Sequence, residues 1–372
     1  MSLSSTLAAR VTALALAVAA AAALAQAPRP RELPVNPAGD YELAVAHDGR
    51  TRTALVHVPA QTVQGAPLPV LVNFHAAGGN ARAHRDYVRM DALADREGFV
   101  VVYPNGTGWF EEQFLTWNAG RCCGYAAIEQ VDDVGFVRAL LDELGTLAPI
   151  DATRVYATGL ANGAMLSYRL AAQASDRIAA IAPVAGSMVL PERRVDDRGQ
   201  PALEVPGRRA VPIMHIHSVD DPRAVYRGGS SEPVPLTSVR TRHPNAEEVL
   251  YRWVEFAGCR TKPAVAETRT GAPGTAASGH AATKYVFGGC RDHTEIVLWK
   301  LSGVGHAWPG AHRKDHAEPR TRNRPRRRER GSLAVRPAVR AAAAAAVGPD
   351  FAGGRAARRP RAAGGDPTPV RG

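Results

Sequence analysis

Four cysteines are all that the 372 residues contain, at positions 122, 123, 259 and 290, and no Cys-x-x-Cys spacing accompanies them. That scarcity excludes a small disulfide scaffold and argues against a structural zinc site, so no metal is expected. Internal repeats are absent, which removes solenoid and propeller architectures. An apolar run of the ~20 residues needed to cross a bilayer is also missing; the nearest approach, residues 11–24, is shorter and rich in alanine. Outside the C-terminal end there is no excess of either charge. In residues 311–372, 15 Arg and 1 Lys against 5 acids carry the whole net charge of +11. The body therefore has no basic bias toward nucleic acid, and none is expected as a partner.

What is present at the N-terminus is a positive start at Arg10, the apolar run, and Ala23-Leu24-Ala25, a small-x-small cleavage pattern. Residues 1–25 read as a secretory signal, with an anchor helix as the competing reading. Export places the remaining chain where disulfides persist. A proline-rich lead-in follows at 28–37. The chain is 45% hydrophobic and 22% charged, ordinary for a globular protein, and residues 26–310 suffice for one large domain with a full core.

Residues 41–45 and 51–58 flank the turn Asp48-Gly49 and predict a hairpin at a sheet edge. Residues 70–74, 99–103, 154–158, 178–184, 211–217 and 295–301 are short apolar runs, the kind buried on both faces of a sheet. Helical patterns at 81–96, 131–147 and 164–174 separate several of them. This alternation predicts an α/β fold, a mostly parallel central sheet with helices on both faces.

The most informative stretch is 155–188. A strand ends at Thr158, Gly159-Leu160-Ala161-Asn162-Gly163 turns sharply, and a helix follows. Strand, small-residue turn and helix make the nucleophile elbow G-x-S-x-G, whose glycines let strand and helix crowd together while the middle side chain rises above the sheet. Here that middle residue is Ala161. The frame of a serine hydrolase is present without its nucleophile. Ser167, inside the helix, and Ser187, past the next strand, are off the elbow, and an attacking oxygen must lie within hydrogen-bond reach of its base.

Other chemistry falls at strand ends. His75-Ala76-Ala77-Gly78-Gly79 follows the first core strand, and the amide of Ala76 with that of Asn162 would form an oxyanion hole. Asp220 and Asp221 follow 211–217 and are placed to orient a histidine, although capping a turn is an aspartate's commoner task. His306, on the glycine-flanked loop 303–310, has the access a general base needs. Ala161, Asp221 and His306 fall in the chain order nucleophile, acid, base. His75, Trp117 and Trp308 are expected to line the substrate cleft, where aromatic walls suit aromatic acyl groups and polymer chains alike. Asp132-Asp133 begins a helix, and capping is expected there rather than metal binding.

The phrases FHAAGGNA, DALADREGFVVVYPNGTG, LTWNAGRCCGYA, VDDVGFVRALLDEL, RVYATGLANGAMLSYRLA, SDRIAAIAPVAGSM, IHSVDDP and GVGHAWPG extend over residues 67–310. Together they resemble the secreted polyhydroxybutyrate depolymerase and feruloyl esterase-like family of α/β-hydrolases. The resemblance implies hydrolysis of carboxylic esters through an acyl-enzyme, with no metal or organic cofactor. Its substrates would be a hydroxyalkanoate polymer or oligomer, or a feruloylated or acylated polysaccharide. It carries the acid to Asp221, the base to His306 and the nucleophile position to Ala161. Ala76-Ala77 stands where the family more usually has a glycine pair, a change that keeps the backbone donors. Ala161 removes the attacking atom, so activity is expected to be lost or very low; a non-catalytic polymer- or ester-binding protein is the alternative.

Of the three ways to pair four cysteines, Cys259 with Cys290 is the expected bridge, closing a long flexible Gly/Ala/Thr-rich loop and contributing about 3 kcal/mol. The pairing of Cys122 and Cys123 stays open. After Gly310 the hydrophobic periodicity stops, and residues 311–372 are expected to be a disordered Arg- and Ala-rich extension. The resemblance implies an amphipathic final helix there instead. With permitted codons, RRRERGSLAV read one nucleotide over spells Val-Asp-Ala-Asn-Glu-Asp-Arg-Trp-Arg-Phe, the opening of such a helix, so a frameshift between Gly310 and Arg326 is expected.

Overall fold

The computed structural model describes residues 38–60, 66–120, 122–188, 209–232, 240–275 and 277–311. The expected secretory signal, the proline-rich lead-in and the extension from residue 312 lie outside them. In chain order the elements are β1 (Gly39–His47), β2 (Arg50–Val58), β3 (Leu68–Phe74), α1 (Ala81–Val88), α2 (Asp91–Glu97), β4 (Val100–Pro104), α3 (Gly124–Ile128), α4 (Asp133–Leu147), β5 (Ile150–Leu160) and α5 (Asn162–Gln173). There follow β6 (Ala180–Val184), β7 (Ile213–Ser218), β8 (Arg227–Ser230), β9 (Arg242–Asn245), α6 (Ala246–Phe256), β10 (Ala264–Thr270), β11 (Ala281–Phe287) and β12 (Ile296–Ser302).

Successive side chains on a strand point to opposite faces, so a strand covered on both sides must be apolar throughout. β3, β4, β6 and β7 are buried along their whole length. Val70, Val72 and Phe74 of β3 face a core that takes Phe136 and Leu140 from α4, Leu166 from α5 and Trp253 from α6. Leu71, between them, faces the opposite core with Tyr87 of α1 and Leu93 of α2. The sheet has ten strands in the order β1-β2-β4-β3-β5-β6-β7-β12-β11-β10, and β8 pairs with β9 apart from it. From β4 to β12 in that order the strands run parallel. Antiparallel hairpins close both edges. This is the α/β-hydrolase arrangement, and it carries the ends of β3, β5, β7 and β12 to one side of the sheet. Among the described residues no helix is long and apolar enough to cross a membrane.

Two expectations are corrected. The helix expected over 81–96 is two helices, because Arg89 takes a left-handed conformation (φ 50°, ψ 47°) and ends α1. Asp91 then starts α2, fixed by the Tyr103 hydroxyl donating to Oδ1 (2.7 Å) and by Arg85 Nε–H donating to Oδ2 (2.6 Å). The Cys259–Cys290 bridge is present, but it encloses the paired strands β10 and β11 rather than a long flexible loop. Cys122 is bonded to Cys123.

Charge ties the edge hairpin to α1 and α2. The His57 ring lies between Asp40 Oδ1 (2.8 Å from Nδ1) and Asp95 Oδ1 (3.0 Å from Nε2). Burial alone would lower its pKa, but hydrogen bonds to the two carboxylates outweigh it and raise the value above that of an ordinary histidine. A raised folded-state value stabilises the fold fully below the unfolded value of about 6.5, and the contribution is lost as pH rises through the folded value. The wild type is therefore expected to melt above His57→Gln on the acid side of neutrality, with the gap closing in mild alkali. Parallel curves of Tm against pH for the two proteins would contradict this.

Candidate active site

The elbow is built by close approach. A Cβ on Gly159 would lie 2.7 Å from the Phe74 carbonyl oxygen, and one on Gly163 would run into the carbonyls of Phe74 and His75. Only glycine lets α5 begin against the end of β3 in this way. Between them Ala161 sits at φ 53°, ψ −109°, a conformation that an L-residue adopts only when its surroundings enforce it. Its N–H donates to Val184 O (2.9 Å) and its carbonyl accepts from Met165 N–H (3.0 Å), which holds the turn from both sides. Gly163→Ala is expected to cost about 1–3 kcal/mol through overpacking, read as a lower denaturant midpoint. An unchanged midpoint would show that the helix start can move away from β3.

Asp221 and His306 meet. Asp221 Oδ2 accepts from His306 Nδ1 at 2.8 Å. Asp221 Oδ1 accepts from the amides of Arg223 (2.8 Å) and Ala224 (2.9 Å). Burial works against the carboxylate's charge, but hydrogen bonds from His217 and His306 outweigh it and hold the carboxyl well below the usual carboxylate range. With Nδ1–H committed to a fixed negative charge, His306 Nε2 has no hydrogen-bond partner among the described residues. That nitrogen is available to take a proton. Asp220 does different work: it accepts from the Ser218 hydroxyl (2.5 Å) and from Gly303 N–H (2.9 Å), fastening the His306 loop to the end of β7.

Ala76, Ala161 and Val304 each pack against the core that holds Tyr87 and Leu93. No backbone hydrogen bond engages the Ala76 amide among the described residues. Asn162 opens α5, where first-turn N–H groups have no helical carbonyl to meet. Its side chain clamps the backbone of Trp117, accepting from Trp117 N–H (2.7 Å) and donating to Trp117 O (3.0 Å). Among the described residues no group of three or more His, Cys, Asp or Glu could hold a metal ion.

The three residues expected on the cleft wall lie in the interior instead. His75 accepts from Gly106 N–H at Nε2 (3.0 Å), so its proton is on Nδ1, which donates to Ala76 O (2.8 Å). Burial, with a contribution from Arg52, pushes its pKa down to about 4, so it is a neutral strut for the loop. Trp117 is fully buried, and its indole N–H donates to His75 O (3.0 Å). Trp308 is 4% exposed, and its backbone N–H donates to the Tyr87 hydroxyl (3.1 Å). Ser167 is buried and donates to Gly163 O (3.0 Å). Ser187 is buried just past β6, beside Gly186, which packs on the backbone of Ala161. Asp132 caps α4 by accepting from Gly135 N–H (2.9 Å), whereas Asp133 turns inward to Arg52.

Two features were not expected. Trp109, Phe110 and Phe114 each expose more than 60% of their surface on a small hairpin between Thr107 and Thr116. That hairpin is fastened to the Ala76 loop, where Gly78 N–H donates to Leu115 O (2.8 Å). The second is a row of buried histidines behind Asp221. Its sequence signal is the His-x-His spacing of His215 and His217, which places both rings on one face of β7.

Residues 53–233 match the family model described as esterase PHB depolymerase. That segment is similar to the esterase PHB depolymerase family. It contains the Ala76 loop, the elbow and Asp221, and it stops short of His306. The chain is 29% identical over 279 residues to NocK of Nocardia uniformis subsp. tsuyamanensis, covering 74% of this chain and 76% of that protein. It is 28% identical over 261 residues to feruloyl esterase B of Piromyces equi, covering 69% of this chain and 42% of that protein. Among solved structures it is similar to acetyl xylan esterase from Aspergillus awamori, with a TM-score of 0.47 and 15% identity over 72% of this chain and 94% of that one.

Proposed function

We propose that this chain is an exported ester hydrolase of the polyhydroxybutyrate depolymerase and feruloyl esterase type, with Asp221 as acid, His306 as base and Ala161 at the position of the missing serine, and that it turns over little or no substrate as it stands. The observation that carries the reading is the pair at 2.8 Å between Asp221 and His306, combined with an alanine held at φ 53° on the elbow. With an oxygen at 161, His306 Nε2 would take its proton as it attacked the ester carbon. The amides of Ala76 and Asn162 would receive the developing oxyanion, and His306 would then give the proton to the leaving alkoxide. Water would repeat the cycle on the acyl-enzyme. Asp221 would stabilise the imidazolium throughout. The substrates proposed are hydroxyalkanoate polymers or oligomers, or feruloylated or acylated polysaccharides, and the exposed rings of Trp109, Phe110 and Phe114 beside the oxyanion loop support an apolar or aromatic acyl part. Export rests on residues 1–25, and the mass of the protein recovered outside the cell tests it.

The chain as it stands is expected to give no acyl-enzyme burst with nitrophenyl butyrate in stopped flow. A stoichiometric burst would overturn the reading. A second reading, an ester- or polymer-binding protein without turnover, is favoured by the elbow keeping its conformation although the oxygen is gone. Titration calorimetry with hydroxybutyrate oligomers and feruloylated sugars separates the two; absence of heat with both ligands counts against binding.

A further inference from the structure

A line of buried polar groups runs from the elbow helix to the acid. The Tyr168 hydroxyl lies 2.9 Å from His215 Nδ1, and His215 Nε2 lies 3.2 Å from His217 Nδ1. His217 Nε2 lies 2.8 Å from Ala224 O and 3.2 Å from Asp221 Oδ2. Each member is almost wholly buried, with Tyr168 and His215 at 0% exposure. The protons have one consistent arrangement. His217 Nε2 faces two acceptors, so it carries a proton and leaves Nδ1 as an acceptor. His215 must then donate from Nε2 and accept at Nδ1, which makes Tyr168 the donor at the far end. Protonating either histidine would set two N–H groups against each other or strand the Tyr168 proton. Burial and the neighbouring His217 hold His215 well below its ordinary value, in keeping with neutral rings.

We infer that His217 is a positioning residue for Asp221, held in register through His215 by Tyr168. The inference rests on the reading of Asp221 and His306 as acid and base. The His217 N–H is shared between the carboxylate and the Ala224 carbonyl, so it ties the loop 221–224 back onto β7. The amides of Arg223 and Ala224 occupy Asp221 Oδ1. Oδ2 is thereby aimed at His306 with its remaining lone pair. Tyr168 sits on α5, two turns on from Ala161, so the row links the helix that carries the nucleophile position to the loop that carries the acid. The titratable groups facing Asp221 are His217 from β7, His306 from the loop after β12, and His243 from β9.

The test uses the full chain carrying Ala161→Ser. Adding His217→Phe is expected to lower kcat about ten- to a hundredfold, the scale of a lost hydrogen bond to a charged group, with KM unchanged. The acid limb of the kcat/KM profile moves to higher pH, because a carboxylate with one donor fewer acts more strongly on the His306 imidazolium. His217→Gln, whose amide N–H can reach the place of Nε2, recovers part of both effects. Tyr168→Phe, the mildest change, shifts the profile in the same direction by less. A His217→Phe protein with unaltered kcat and profile overturns the inference. So does a loss that appears only in KM. If Ala161→Ser restores no activity, the functional reading fails by itself, and the row is then read in the chain as it stands. The downfield proton resonance of the Asp221–His306 hydrogen bond should vanish in Asp221→Asn and move in both Tyr168→Phe and His217→Gln. A resonance that stays put in those two variants overturns the inference.

Discussion

Ala161→Ser is expected to raise turnover of nitrophenyl butyrate by about five to six orders of magnitude, the scale on which a serine hydrolase depends on its nucleophile. One oxygen atom can have so large an effect because everything around it is in place. The backbone at 161 already holds the elbow conformation, so serine adds no new backbone strain. Position 161 is half-buried, and the added atom replaces a hydrogen on an existing Cβ. His306 is oriented by a carboxylate held well below the usual range, so its basic nitrogen needs no further preparation. Residual activity without the oxygen would come from the oxyanion amides and from binding alone. The revertant should also show a burst of one nitrophenol per chain, and adding His306→Ala should return it to background. A rise of less than about tenfold would mean that Asp221 and His306 are not the acid and base of this site, because a competent base and oxyanion hole give far more.

Much of the scaffold was legible in the residues because burial on both faces leaves strands such as β3 and β4 apolar without alternation. The elbow was legible because its glycines answer to a steric demand, as the contacts of Gly159 and Gly163 with Phe74 show. The hairpin β10-β11 was not, since it lies at a sheet edge with β10 largely exposed, and so carries no run of buried residues. Helix α6 does carry a local signal: Asn245 caps it, Glu247 and Glu248 follow, and Val249, Leu250, Trp253 and Val254 fall at helical spacing. Direction was the harder matter. Residue type does not say whether a ring turns in or out, and His75, Trp117 and Trp308 turn in because their loops are fastened to the core through their own polar atoms. Trp109, Phe110 and Phe114 turn out on a hairpin whose pairing has no sequence signature. The row behind Asp221 joins Tyr168 to His215 across two elements, a contact that only the fold creates.

The largest loss of stability is expected from Asp133→Ala, at a pair that touches no reacting atom. Asp133 is 0% exposed at its side chain and Arg52 is 4% exposed. Arg52 donates to Asp133 Oδ1 (2.7 Å) and to Asn105 O (3.1 Å), and its guanidinium lies 4.0 Å from the centre of the Phe136 ring. Asp133 Oδ2 accepts from Asn118 N–H (2.7 Å), next to the Trp117 that Asn162 clamps. Burial pushes the carboxyl up and the guanidinium down, so each charge is tolerated there because of the other. Removing Asp133 leaves a buried cation without a counter-ion and an amide without an acceptor, at a cost of about 3–5 kcal/mol. In a domain of this size that corresponds to a fall in Tm of about 10 °C. The sign of the effect depends on leaving one charge behind. Replacing both partners with apolar residues of similar volume, as in Arg52→Met with Asp133→Leu, should therefore recover most of the loss, since an ion pair that is removed whole takes its desolvation penalty with it. Denaturant unfolding of Asp133→Ala and of the double variant measures this directly. If the double variant is no more stable than Asp133→Ala, the hydrogen bonds to Asn105 and Asn118 hold this corner together, and the charge pairing does not.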